Sequence, residues 1–167
     1  MDGIKIQLND MLLCRERRFQ IQQSYLQNYN CTLLSFCMNI PGPIKTNASI
    51  RKAFELGKHE LLSWINLEHI TIKDFSEFHE KTGDELILAL DCPAKKIKEK
   101  AVLLEETFPL GRLYDIDIIN RDGTKLSRNY QRRCIICNKP AFECARSRSH
   151  AIEDLQNKVD EILQNIF

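Results

Sequence analysis

Residues 32 to 40 constrain the fold more than any other stretch of this chain. Leu34, Phe36, Met38 and Ile40 recur at every second position, the repeat of a strand that buries one face. The run stops at Pro41-Gly42-Pro43, which can continue neither strand nor helix. On either side the period changes. Asn9 or Asp10 can cap a helix reaching about residue 28, with Leu12, Phe19 and Leu26 spaced seven apart. Ser49 can cap a second helix, with Ile50, Phe54, Leu61 and Trp64 as its buried stripe. Residues 66 to 83 show no clear period and read as a short helical or irregular excursion closed by Gly83. Residues 85 to 90 read as a buried strand. Pro93 opens a third helix whose apolar face is Ile97, Ala101, Leu104 and Phe108. A third strand is expected over 112 to 119, and Asp122-Gly123 as a hairpin turn would send 124 to 127 back antiparallel. A cysteine-rich knuckle (132 to 150) then leads into a last helix (151 to 167). The expected fold is α+β: a single mixed β-sheet with helices packed on it, forming one domain over 1 to 167.

A chain of 167 residues, 43% hydrophobic and 28% charged, can bury a core without disulfides to hold it. Its formal charge is +1, but residues 111 to 150 hold nine Lys/Arg against four Asp/Glu, which is +5 and leaves −4 for the remainder. Positive charge concentrated in this way suits a small polyphosphate better than a long duplex. No apolar run approaches the roughly 18 residues of a membrane span, and Met1-Asp2-Gly3-Ile4-Lys5 lacks the pattern of a signal peptide. The seven cysteines are odd in number, and four lie scattered in apolar stretches, as in a reduced protein. The expected setting is cytoplasmic, with neither nucleic acid nor membrane as partner.

Four groups of residues could carry chemistry. Asp115 and Asp117 stand two apart on the expected third strand and so project from one face. Carboxylates placed together repel unless a cation lies between them, and Mg²⁺ binds carboxylates along with a substrate's phosphates. The competing reading is a solvated acidic face, but apolar alternate positions and nearby arginines favour chemistry. In the loop after the first strand, Asn39, Gly42 and Lys45 lie where sheets of this class bind ligands. Lys45 could meet a phosphate and Gly42 would let backbone approach it. The glycine spacing is not that of a P-loop, and a plain turn is the competing reading. Arg128, Arg132, Arg133, Arg146 and Arg148 could cradle a triphosphate bidentately, against the alternative of a solvated basic surface. Finally, Cys134, Cys137, Cys144 and then His150 could form a tetrahedral Zn²⁺ site. Reduced cysteines packed in a core, or a redox pair, fit the same spacing, and His150 could equally touch phosphate.

Taken in order, these motifs resemble one family. They are Ser-Phe-x-x-Asn-Ile-Pro-Gly-Pro-Ile-Lys (35 to 45), Gly-Arg-Leu-Tyr-Asp-Ile-Asp-Ile (111 to 118), Asp-Gly-x-x-Leu-Ser-Arg (122 to 128), Arg-Arg-Cys-x-x-Cys (132 to 137) and Cys-Ala-Arg-Ser-Arg-Ser-His (144 to 150). With the basic start of the first helix, Arg15-Glu16-Arg17-Arg18, the set is similar to the CitX family of apo-citrate lyase phosphoribosyl-dephospho-CoA transferases. The resemblance implies transfer of that group from 2′-(5″-triphosphoribosyl)-3′-dephospho-CoA to a serine of the acyl carrier (gamma) subunit of citrate lyase, with release of diphosphate. It also implies a nucleotidyltransferase-like fold. Asp115 and Asp117 would then be catalytic and hold Mg²⁺, with Arg112, Arg128, Arg146, Arg148 and Lys45 on the triphosphate. The Gly-Ser signature that precedes such acidic pairs is absent here. Two readings from other classes stand beside this one: a non-catalytic nucleic-acid-binding module built on a zinc knuckle, and a structural protein that binds the carrier.

Overall fold

A computed structural model describes residues 1–167. The elements are α1 (Leu8–Asn28), β1 (Thr32–Met38), α2 (Ala48–Leu67), β2 (Thr71–Glu80), β3 (Gly83–Asp91), α3 (Ala94–Thr107), a 3₁₀ turn (Gly111–Leu113), β4 (Tyr114–Ile119), α4 (Ala141–Ser147) and α5 (Ile152–Gln164). No helix is long and apolar enough to cross a membrane. The α+β class and the single sheet are as expected, and the C-terminal cysteine cluster is present.

The sheet is antiparallel throughout rather than mixed. Its order is β2-β3-β1-β4, and every neighbouring pair runs in opposite directions. The reason is β2, a strand where the residue spacing suggests an excursion. Ile72, Phe75 and Phe78 fall three apart, so the segment shows no strand period, and a register shift between Ile72 and Asp74 breaks its alternation further. With β2 present, β3 returns from it as a hairpin and enters beside β1 antiparallel. The helical connection α3 then carries the chain across β1 to its far edge, so β3 and β4, which run in the same direction, never touch.

Alternation along β1 divides the two faces of the sheet. Leu34 and Phe36 face a large core with Leu86, Leu88, Ile116 and Ile118, covered by Ile50, Phe54 and Leu61 of α2, Ile97 and Leu104 of α3, and Val159 and Leu163 of α5. Leu33 joins Ile87, Ala89 and Tyr25 of α1 in a smaller cluster on the other face. Helix starts differ from expectation by a few residues. Gln7, not Asn9 or Asp10, precedes α1, and Asp10 Oδ2 accepts the Gln7 N–H at 3.0 Å. Asn47, not Ser49, caps α2 by accepting the Ile50 N–H at 2.9 Å. The return after Asp122-Gly123 is short, a bridge of Ile119 to Lys125 and a bond from Leu126 N–H to Ile118 O at 2.8 Å.

Candidate functional site

Edge strand β4 pairs Asp115 with Cys37 and Asp117 with Ser35, so both carboxylates stand on the face of the sheet that α1 covers. On this face only the end near Leu33 and Ile87 is apolar. The other end carries Glu85, Cys37, Ser35 and the two aspartates. Glu85 is buried and taken up by Arg17 and Arg18 of α1. Lys125, brought back by the turn at Asp122-Gly123, donates to Asp117 Oδ2 at 2.5 Å. Burial raises the Asp115 carboxyl above its ordinary range and Asp117 adds to this, while Arg132, Lys125 and Arg18 act against it. The Cys37 thiol, 3.9 Å from Asp115 Oδ2, is pushed up to about 12, chiefly by burial.

The backbone of β4 is clasped from the opposite side. Glu105 of α3 is only 4% exposed; its Oε1 accepts the N–H of Ile116, the residue between the two aspartates, at 2.9 Å. Arg128 pairs with Glu105 and reaches Glu106 at 3.5 Å.

Next to the start of β4 lies a cavity of about 740 Å³, within the size range of cofactor sites. Its walls come from the loop after β1 (Asn39, Pro41), the 3₁₀ turn (Arg112, Leu113), the knuckle and the first turn of α5 (Ile152, Leu155). Arg132, Arg133, Arg148 and His150 line it from the knuckle side. Arg132 belongs to both regions. Its Nη2 donates to the carbonyls of Tyr114 at 2.5 Å and Arg112 at 2.9 Å, and its charge acts on Asp115 and Asp117. Arg112 in turn donates to Arg133 O.

Within the knuckle the sulfurs of Cys134, Cys137 and Cys144 and a ring nitrogen of His150 all lie within 4.8 Å of one another. Cys137 Sγ is 3.4 Å from Cys144 Sγ and 3.3 Å from His150 Nε2.

The sequence-predicted residues therefore do not all meet in one place. Asn39, Arg112, Arg148 and His150 meet around the cavity, and Asp115 with Asp117 lies beside it. Arg128 is engaged by the two glutamates of α3. Arg146 lines a separate depression with Lys139 and Glu143. Lys45 donates to Ile40 O at 2.7 Å, and burial lowers its pKa, with Arg15 adding to the effect. Gly42 has φ 81°, and a Cβ there would lie 2.7 Å from Ile152 and 2.6 Å from Gln156, so its missing side chain admits α5. Arg132 was visible only as one basic residue among several. Its bonds to carbonyls more than fifteen residues upstream have no signal in the sequence, and neither does the clasp of Glu105.

A family model described as CitX, apo-citrate lyase phosphoribosyl-dephospho-CoA transferase, matches residues 6–166. An apo-citrate lyase phosphoribosyl-dephospho-CoA transferase of Citrobacter koseri is 32% identical over 164 residues, covering 96% of this chain and 90% of the relative. One of the same description from Escherichia coli O1:K1 is 32% identical over 165 residues, with the same coverage. A probable member from Vibrio cholerae serotype O1 is 32% identical over 164 residues, covering 95% of this chain and 92% of the relative.

Proposed function

The chain belongs to the CitX family and transfers the phosphoribosyl-dephospho-CoA group to apo-citrate lyase, and from that premise we propose how its residues divide the work. The cavity beside β4 holds the donor, 2′-(5″-triphosphoribosyl)-3′-dephospho-CoA, and the acidic strand faces the reacting phosphate. The acceptor is a serine of the acyl carrier subunit. Its oxygen bonds to the α-phosphorus while the bond from that phosphorus to the departing diphosphate breaks. One carboxylate of the acidic pair takes the serine proton. Because the nucleophile belongs to the partner, the chain needs no serine or triad of its own.

The position of Arg132 carries this reading: one guanidinium lines the cavity and also bears on Asp115 and Asp117. Arg112, Arg133 and Arg148 add cationic donors around the same space, and Leu113, Ile135 and Leu155 give it an apolar wall. A ligand with phosphates at one end and an apolar arm at the other matches both. Arg128, Arg146 and Lys45, with their partners or positions elsewhere, are secondary to these.

A Mg²⁺ ion fits Asp115 and Asp117. The two carboxylates share a face, and the Asp117 charge adds to the burial that raises the Asp115 carboxyl. The cation now beside them, Lys125, is 62% exposed on a flexible stem and free to yield. When bound, Mg²⁺ neutralises phosphate oxygens and the leaving diphosphate. The seven free thiols support a cytoplasmic setting. The nucleic-acid module and the non-catalytic carrier binder are not favoured, since the relatives are transferases over nearly the whole chain.

The intact mass of the apo carrier subunit, after incubation with this protein, Mg²⁺ and the donor, tests the reading. The expected gain is the donor minus diphosphate. It should vanish with EDTA and fall at least about 100-fold in rate with Asp117→Asn, as loss of a metal-holding carboxylate would cause. A folded Asp117→Asn protein that transfers at the wild-type rate would remove the acidic pair from the chemistry.

A further inference from the structure

We propose that Cys134, Cys137, Cys144 and His150 hold one Zn²⁺ ion in a closed, structural site that organises the knuckle and, through it, the wall of the cavity. The four donor atoms already converge within 4.8 Å of one another. A Zn–S bond of about 2.3 Å implies sulfur–sulfur separations of about 3.8 Å in a tetrahedron. The 3.4 Å between Cys137 and Cys144 therefore needs only a small opening to admit the ion. Three thiolates and one imidazole form a soft donor set that suits zinc and not Mg²⁺ or Ca²⁺. With four protein ligands no coordination position remains for water, so the role is structural rather than catalytic.

The packing of the segment points the same way. Between residues 132 and 150 the only buried side chains are Cys134 and Cys144. A lobe of this length with no hydrophobic core of its own needs another source of stability. Helix α4 has seven residues, too few to persist alone in water. Arg148 sits in the left-handed region at φ 50°, a conformation uncommon for a long side chain without a local hydrogen bond of its own. Disulfide formation could pair just two of the three thiols, and all are free.

The ligands come from separate pieces of chain. Cys134 and Cys137 lie on a small hairpin closed by Cys134 N–H to Lys139 O at 2.7 Å. Cys144 comes from α4, and His150 from the connection to α5. Binding all four joins the hairpin, α4 and the start of α5, the pieces that carry Arg132, Arg133 and Arg148 to the cavity. The site does not depend on how the transfer proceeds, and its test does not read transfer.

Protein purified without chelator and with reductant should contain one zinc per chain by elemental analysis. A thiol-specific mercurial should release that zinc as the knuckle thiols react. Cobalt substitution should produce the visible d–d bands of a tetrahedral thiolate site. Cys137→Ser should lose the metal and lower the melting temperature, while His150→Cys should keep the metal, which separates lost ligation from general misfolding. A folded, reduced wild-type chain with no zinc after zinc addition and dialysis would overturn the proposal. So would full zinc occupancy in Cys137→Ser, or a mass two hydrogens low that maps to a Cys137–Cys144 disulfide.

Discussion

Asp115 is held between Cys37 and Asp117 on a face with little water, and its carboxyl keeps its proton to a higher pH than in the unfolded chain. The native state therefore binds more protons than the unfolded state from the ordinary aspartate value of 3.8 up to the raised native one, so stability falls as pH rises across that window. Above the window the full penalty is present, and below 3.8 it is gone. Asp115→Asn should accordingly raise the melting temperature at neutral pH, on the order of 2–4 °C for each kcal/mol relieved in a chain of this length. The gain should shrink toward zero as the buffer is taken down to about pH 4, while transfer is lost at every pH. A neutral-pH melt that drops would mean that Arg132 and Lys125 outweigh the burial. The acidic pair itself was legible from i, i+2 spacing, but the raised pKa of Asp115 was not, because its largest cause is burial, which only the folded chain imposes.

Helix α3 and strand β4 meet through Glu105, whose buried carboxylate holds the Ile116 N–H and pairs with Arg128. Removing it leaves the strand N–H without a partner and takes from Arg128 its buried carboxylate, so that only Glu106 at 3.5 Å remains to it. Glu105→Ala should therefore cost on the order of 2–3 kcal/mol in urea denaturation, and Glu105→Gln, which keeps an acceptor for Ile116, should cost less. A loss below about 1 kcal/mol in the alanine variant would show the clasp to be unimportant. In the sequence Arg128 is indistinguishable from the other arginines expected on the triphosphate. Only the packing of α3 beside β4 shows that this one already has a carboxylate. Elements with clean periods, β1, β3, α2 and α3, were legible to within a few residues. Strand β2 is not legible because it lies at the sheet edge, where exposed aromatics such as Phe75 obey no alternation.

The large core runs without a break through α2, α3, strands β1, β3 and β4, and α5, and Ile135 and Leu126 pack against it from the C-terminal segment. The N-terminal amine also meets Asp160 Oδ2 of α5 at 2.9 Å, so the two ends of the chain are joined. A chain with one continuous core and joined ends should unfold in one calorimetric transition with equal calorimetric and van't Hoff enthalpies. An earlier, separate transition would mark the knuckle or α5 as an independent unit. Strand and helix periods, the acidic pair, the cysteine spacing and the family were all readable from the residue order, because each rests on neighbours a few positions apart or on motifs in a row. Sheet direction was not readable, since it turned on one weakly patterned edge strand. The choice of arginines for the cavity was not readable either: the partners of Arg128 and Arg132 lie about twenty residues away, and only the folded chain brings them within a hydrogen bond.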